Sequence, residues 1–237
     1  MSARIRESDL PTGVEKTRRV REMFDTIALR YELVNGLMTV GLDARWRART
    51  VDALGLPAGS VVLDVAAGTG DLCEVARRRG LDPIALDLSF GMLAATSSTA
   101  PALQCDAGAL PIAAGVADGV VCGFALRNFT DLDRALAEMA RVLRPGGRLA
   151  LLEVGAPTGR LTRAGFALWF NHVVPAIGAA LSDRAAYRYL PASVAYLPDP
   201  DALRELIRSS GFSGVNRRQL SGGLSQLYTA TRSGRPR

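Results

Sequence analysis

The sequence predicts an α/β fold: a mostly parallel seven-stranded sheet with helices on both faces, closed by a C-terminal antiparallel hairpin. Three observations predict it. Short apolar runs alternate with helical periodicity from Val61 to Val154. The first run, Val61–Ala66, passes straight into Ala67-Gly68-Thr69-Gly70-Asp71, a glycine turn ahead of a helix. Late in the chain, Val215–Leu220 and Leu224–Thr231 flank Ser221-Gly222-Gly223, a hairpin signal.

The elements follow in order. From Val14 to about Leu33, the residues Val20, Met23, Phe24, Ile27 and Tyr31 share one helical face, as a single helix or a broken pair. Met38 to Leu54 mixes apolar and arginine positions around Trp46, and Pro57-Ala58-Gly59 turns the chain. The first strand, Val61–Ala66, feeds a helix from Asp71, read as its N-cap, to about Arg79, where Gly80 stops it. Pro83–Leu88 is the second strand and ends at Asp87; Phe90–Thr96 is a short helix; Ala102–Asp106 is the third strand. Gly119–Leu126 is the fourth, continuously apolar as expected for a strand buried on both faces. Asp131 caps a helix to Leu143, Arg144-Pro145-Gly146-Gly147 turns, and Arg148–Val154 is the fifth strand. Leu161–Ser182 is helical and apolar, but Asn171, His172 and Pro175 make its middle too polar for a membrane span. Asp201–Ser210 is a helix stopped by Gly211.

Composition narrows the function classes. The chain has 237 residues, 48% apolar and 22% charged, as in a soluble globular protein with ample core. Lys and Arg exceed Asp and Glu by 29 to 23, giving +6, and Lys16 is the only lysine. The arginines are scattered without aromatic interleaving, so no nucleic-acid partner is expected. Cys73, Cys105 and Cys122 are odd in number and form no CxxC, which suits free thiols in a reducing, cytoplasmic compartment. Met1–Pro11 is polar, so no signal peptide is expected, and no metal site is expected.

The glycine loop constrains its ligand. A dinucleotide fingerprint wants a third glycine at position 73, which is Cys73, and its pyrophosphate sits at a helix N-terminus, where Asp71 would repel it. A ligand with a positive centre and no phosphate suits the loop, and S-adenosylmethionine meets that description. Asp87 stands where a carboxylate can accept from a ribose diol, and Asp106-Ala107 where the adenine amino group can be taken. Asp64, an acid within an apolar strand, is expected to hold the loop or its cationic ligand from behind.

Five further segments carry a resemblance. They are Tyr31-Glu32-Leu33-Val34-Asn35-Gly36-Leu37-Met38-Thr39-Val40-Gly41 with Arg45-Trp46; Phe124-Ala125-Leu126-Arg127-Asn128; Arg141-Val142-Leu143-Arg144-Pro145-Gly146-Gly147 with Leu152-Glu153; and the pair His172-Val173-Val174-Pro175 and Tyr187-Arg188-Tyr189-Leu190. With the glycine loop, they make the chain from about Val20 to Thr231 resemble class I methyltransferases, and more narrowly the ubiquinone/menaquinone biosynthesis C-methyltransferase family. The family usually has His at Asp43, Ser at Gly123 and Ser at Gly155.

The resemblance implies a Rossmann-like class I methyltransferase fold. It also implies S-adenosylmethionine-dependent methylation of a ring carbon in a reduced, prenylated demethylquinone. Menaquinol is favoured over a benzoquinol by the arginine- and alanine-rich composition of a GC-rich bacterial genome; the alternative is another small phenolic or lipidic acceptor. Residues 1–55 would form a helical cap on the substrate side, 56–156 the cofactor-binding core, 157–200 an apolar insertion over the substrate pocket, and 201–237 the last helix and hairpin. Thr69, Asp87, Asp106 and Ala107 fall at family cofactor positions; Asp64, Ala66, Gly68, Gly70, Leu88, Met92 and Gly123 complete that candidate set.

Such a reaction needs carbon, methyl and sulfur in line, and help with one phenolic proton whose pKa is about 10. Arg127, Asn128, Tyr31 and His172 are the catalytic candidates: Arg127 to stabilise a phenolate, Asn128 and Tyr31 to orient it or a water, and His172 as a direct base. Trp46, Phe124 and Trp169 are the candidates for substrate contact. A prenylated substrate implies peripheral contact with the inner face of the membrane through the apolar insertion, and a homodimer is compatible with the chain.

Overall fold

The computed structural model describes residues 11–39, 41–96, 98–155, 157, 159, 189 and 192–234. The candidates His172 and Trp169, and nearly all of the apolar insertion, lie outside the described residues.

Five parallel strands form the centre: β1 (Val61–Val65), β2 (Asp82–Asp87), β3 (Ala102–Gln104), β4 (Ala117–Gly123) and β5 (Leu143–Val154). They are ordered β3-β2-β1-β4-β5. The sheet continues through β7 (Ser225–Arg232), antiparallel to β5, and ends with β6 (Phe212–Leu220), antiparallel to β7. The fold is thus the expected seven-stranded mixed sheet. The strand order reverses between the parallel neighbours β1 and β4, so a crevice opens beyond their C-terminal ends.

Period-two alternation decides which helices cover which face. Val62, Val121, Ala150 and Leu152 pack with Trp46 and Val51 of α2 (Leu42–Asp52) and with Leu72 and Ala76 of α3 (Asp71–Arg78). Leu63, Val120, Cys122, Leu149 and Leu151 point the other way. They meet Leu136 and Met139 of α5 (Leu132–Val142) and Leu203 and Ile207 of α6 (Pro200–Ser209). Asp131 caps α5, its Oδ1 accepting from Arg134 N at 2.9 Å. Asp199 caps α6, with Pro200 at the start of the helix.

Several boundaries differ from the sequence expectation for local reasons. The N-terminal pattern is one 27-residue helix, α1 (Gly13–Thr39), which ends before Gly41 turns at φ +72°. Its first turns carry Glu15–Arg18, Glu15–Arg19 and Arg18–Glu22 ion pairs at helical spacing. β4 stops at Gly123, because Phe124 takes φ +58° and leads into a single 3-10 turn, Leu126–Asn128. Asp71 is not the cap of α3. Gly70, left-handed at φ +83°, holds that position without a side-chain bond, and Asp71 lies in the first turn. Arg144–Gly147 falls inside β5 but loops out of register, pairing jumping from Ala117↔Leu143 to Gly119↔Arg148.

Candidate active site

The ends of β1 and β4 define the floor of a cleft with about 800 Å³ of empty space, part of it open to solvent. Ala66 at φ +59° and Phe124 at φ +58° are non-glycine residues in the left-handed region, one just beyond each strand. Such conformations cost of order 1–3 kcal/mol and persist where surrounding packing holds them, often at functional sites. Both residues line the cleft with Val65 and Gly123.

The glycine loop and β2 form one side. Gly68 N donates to Asp87 Oδ2 at 2.7 Å, and Ser89 N donates to Asp87 Oδ1 at 2.8 Å. Burial raises the Asp87 pKa, and those backbone donors oppose the rise. Leu88 and Met92 lie beside it, with α4 (Phe90–Ala94) capped by Ser89, whose Oγ accepts from Met92 N at 3.0 Å. Asp106 and Ala107 line the same cleft beyond β3, where Asp106 Oδ1 accepts from Gly108 N at 2.7 Å. Burial pushes the neighbouring Cys105 thiol up to about 11, so it is no thiolate near neutral pH.

Asp64, Thr69 and Gly70 stand behind that surface rather than on it. Asp64 is fully buried; its Oδ2 accepts from Cys73 Sγ at 3.4 Å and its Oδ1 has no partner. Burial pushes its pKa up to about 7. Thr69 O accepts from Thr96 Oγ1 at 2.6 Å, while Thr69 Oγ1 is buried without a partner. Asp71 is not a bare anion at the helix end. Arg47 Nη1 lies 2.8 Å from its Oδ2 and 3.0 Å from Asp43 Oδ2. Asp43 in turn accepts from Thr39 Oγ1 at 2.8 Å and Asn35 Nδ2 at 3.3 Å, so α1, α2 and α3 share one polar knot.

The other wall is α1, which the sequence reading did not bring to the cofactor side. Thr17, Val20, Arg21, Phe24 and Tyr31 line the cleft. Their signal was present, since Val20, Phe24 and Tyr31 share a helical face, but that face is equally a core face. Asp25 clamps α1 down, accepting from Ser89 Oγ at 2.5 Å and Gly91 N at 2.9 Å. Near the start of the helix, Lys16 Nζ donates to Phe129 O at 2.7 Å and lies 3.7 Å from the Tyr196 ring centroid. Burial lowers the Lys16 pKa to about 8.

The turn after β4 brings Phe124, Asn128, Phe129 and Thr130 to the cleft. Arg127 points into the protein: Nη1 pairs with Glu153 Oε1 and Nε donates to Ser193 Oγ at 3.1 Å. Asn128 Oδ1 accepts from Tyr189 Oη at 3.4 Å. Burial pushes the Tyr189 phenol up to about 12 and raises that of Tyr31. Trp46 does not reach the cleft. It is core, packed against Phe124 and donating from its indole to Ser221 Oγ at 2.9 Å. The sequence places Glu153 within the family resemblance but assigns it no role, although an acid inside an apolar strand is the same signal that singles out Asp64.

Among the described residues, no group of three or more His, Cys, Asp or Glu could hold a metal ion. Nor is any described helix long and apolar enough to cross a membrane.

A parallel sheet with a reversed final strand, carrying a glycine loop and an acid at the end of β2, defines a class I S-adenosylmethionine-dependent methyltransferase. Solved structures share that fold. A methyltransferase of Thermotoga maritima superposes with TM-score 0.64 at 19% identity, over 90% of this chain and 99% of that one. A Haemonchus contortus phosphoethanolamine N-methyltransferase 2, in complex with S-adenosyl-L-methionine, does so with TM-score 0.58 at 15% identity, over 79% of this chain and 52% of that one. The chain belongs to the ubiE/COQ5 methyltransferase family, whose model matches residues 12–232. The ubiquinone/menaquinone biosynthesis C-methyltransferase UbiE of Syntrophotalea carbinolica is 41% identical over 222 residues, 90% of this chain and 94% of the relative. The demethylmenaquinone methyltransferase of Renibacterium salmoninarum is 40% identical over 220 residues, 91% and 93% of the two chains.

Proposed function

We propose that this enzyme methylates a ring carbon of a reduced, prenylated demethylquinone, converting demethylmenaquinol to menaquinol. The relatives named for that reaction, matched over nine-tenths of both chains, support the reaction class. The observation that carries the reading is a single cleft joining the β1 loop and Asp87 to the turn that bears Asn128.

The residues present fit S-adenosylmethionine. Asp87 accepts from Gly68 N of the loop and from Ser89 N after β2, and remains an acceptor for a ribose diol, since each oxygen has a second lone pair. Asp106 and Ala107 stand where the base would lie, with Leu88 and Met92 as apolar walls. Behind the loop, Asp64 Oδ1 and Thr69 Oγ1 are buried acceptors without partners, beside the place for a cationic methionine part. When bound, the cofactor supplies a methyl group on a sulfonium.

The protein supplies position and charge. Phe124, Phe129 and Phe24 bound an apolar volume for the quinol ring, and α1 covers it from water. A ring carbon ortho to a hydroxyl becomes nucleophilic as the hydroxyl loses its proton. A phenol releases that proton only near pH 10 unless a positive charge stabilises the phenolate. Arg127, buried beside the cleft residue Asn128, supplies that charge. Asn128 and Tyr31, on the cleft surface, orient the oxygen. Positioning contributes most, on the order of 7–11 kcal/mol, against about 10²–10⁴-fold from proton help.

A prenylated acceptor resides in the bilayer, so the enzyme works in peripheral contact with the membrane surface; exposed Leu29 and Phe90, on α1 and α4, support an apolar contact. Flotation with anionic vesicles tests that contact, and absence of binding removes it. The substrate assignment is tested by comparing kcat/KM for a short-chain demethylmenaquinol and a benzoquinol analogue. Preference for the naphthoquinol ring supports it, and preference for the benzoquinol overturns it.

A further inference from the structure

The ion pair behind the post-β4 turn has an unusual geometry. Arginine–carboxylate pairs are frequently bidentate, matching edge to edge with two parallel bonds that use both oxygens. Here Glu153 Oε1 takes both Arg127 Nη1 and Val154 N, the latter at 2.8 Å. Glu153 Oε2, fully buried, has no partner. On the arginine, Nε is spent on Ser193 Oγ at 3.1 Å, and no hydrogen bond engages Nη2 among the described residues.

An unpaired buried carboxylate oxygen is costly, and apolar residues commonly fill such a place with equal or better stability. The arrangement gives up stability and obtains a guanidinium fixed at two nitrogens with a third left to donate. Its charge is felt at two phenols. Burial raises both the Tyr31 and Tyr189 phenols, and the Arg127 charge acts against that rise at each of them. The neighbouring side chain, Asn128, lines the cleft.

From this geometry we infer that Glu153, with Ser193, is the positioning residue for Arg127, holding the guanidinium so that its free edge serves the phenolic oxygen of the acceptor. The inference rests on the reading of Arg127 as the phenolate's electrostatic partner. Glu153 touches neither substrate nor cofactor and acts only through the arginine. Its removal therefore affects turnover and the ionisation of the bound quinol, and leaves cofactor binding alone.

The test uses the full chain with S-adenosylmethionine and a short-chain demethylmenaquinol, comparing Glu153→Gln, Glu153→Asp, Ser193→Ala, Arg127→Ala and the Glu153→Gln/Arg127→Ala pair. Glu153→Gln is expected to lower kcat by about 10²-fold, the scale of misplacing a catalytic group by an ångström. S-adenosylhomocysteine affinity by calorimetry stays unchanged, and the acidic limb of the kcat–pH profile moves to higher pH. Glu153→Asp recovers part of the loss, Ser193→Ala shows a smaller shift in the same direction, and the double variant is no worse than Arg127→Ala. Wild-type kcat and pH limb in Glu153→Gln, with Arg127→Ala inactive, overturns the role of Glu153 alone. Wild-type turnover in Arg127→Ala overturns both the inference and the reading beneath it. Where Glu153→Gln fails to fold, Ser193→Ala decides: an unmoved kcat and pH limb overturns the inference.

Discussion

Asp87 Oδ2 accepts a hydrogen bond from Gly68 N at 2.7 Å, tying the end of β2 to the glycine loop beyond β1. The carboxylate therefore shapes the loop as well as offering acceptors to a ligand. Asp87→Asn keeps the size, but its amide presents one oxygen where the carboxylate presents two, so either Gly68 N or Ser89 N also loses its acceptor. Each charge-assisted bond lost is worth about 1.5–3 kcal/mol, so S-adenosylhomocysteine binding should weaken about 10–100-fold in titration calorimetry. Unchanged affinity would remove Asp87 from the cofactor site.

Gly70 tests the loop's backbone. It adopts φ +83°, and a Cβ there would lie 2.6 Å from Thr96 Oγ1, the hydroxyl that donates to Thr69 O. Gly70→Ala adds the left-handed penalty, roughly 1–2 kcal/mol, to the loss of that hydroxyl's position. The expected result is a lower melting temperature together with a larger loss of cofactor affinity. A variant that binds normally would mean that the loop's conformation is not what the cofactor requires.

Asp64 sets a pH dependence of stability. Its pKa is raised from 3.8 to about 7 in the folded protein, chiefly by burial. Between those values the native state keeps a proton that the unfolded chain has released. The stabilisation is full below about pH 4 and is lost as pH rises through 7. The loss above pH 7 is on the order of 4 kcal/mol at most. Asp64→Asn, neutral at every pH, should unfold at higher urea concentration than wild type at pH 8 and at a similar one at pH 4. Parallel curves for the two proteins would show that folding does not raise the Asp64 pKa.

Legibility in the sequence followed the physics of each signal. The sheet was readable because β1, β4 and β5 are apolar on both faces, and because Gly68 and Gly70 mark a backbone that must turn left-handed. Asp87 and Asp106 stood out as acids at strand ends. Asp71 misled, because an acid after a glycine fits either the cap or the first turn; only the Arg47 contact shows how its charge is met. Trp46 misled because a large aromatic in a polar helix suits a pocket wall and a core anchor equally, and its partner Ser221 lies 175 residues away. The α1 wall and the Arg127–Glu153 pair were hidden for the same reason. Contacts such as Asp25–Ser89 join residues 64 apart, and no local period encodes them.

Methyl transfer from S-adenosylmethionine to a ring carbon of a reduced demethylquinone can be observed directly. The direct measurement incubates the enzyme with methyl-labelled cofactor and a short-chain demethylmenaquinone, chemically reduced or left oxidised, and locates the label by mass spectrometry and carbon NMR. The expected product carries one labelled methyl group on the ring carbon and forms with one equivalent of S-adenosylhomocysteine, from the reduced form only. Label on oxygen, equal transfer to the oxidised quinone, or no transfer to either form would contradict it.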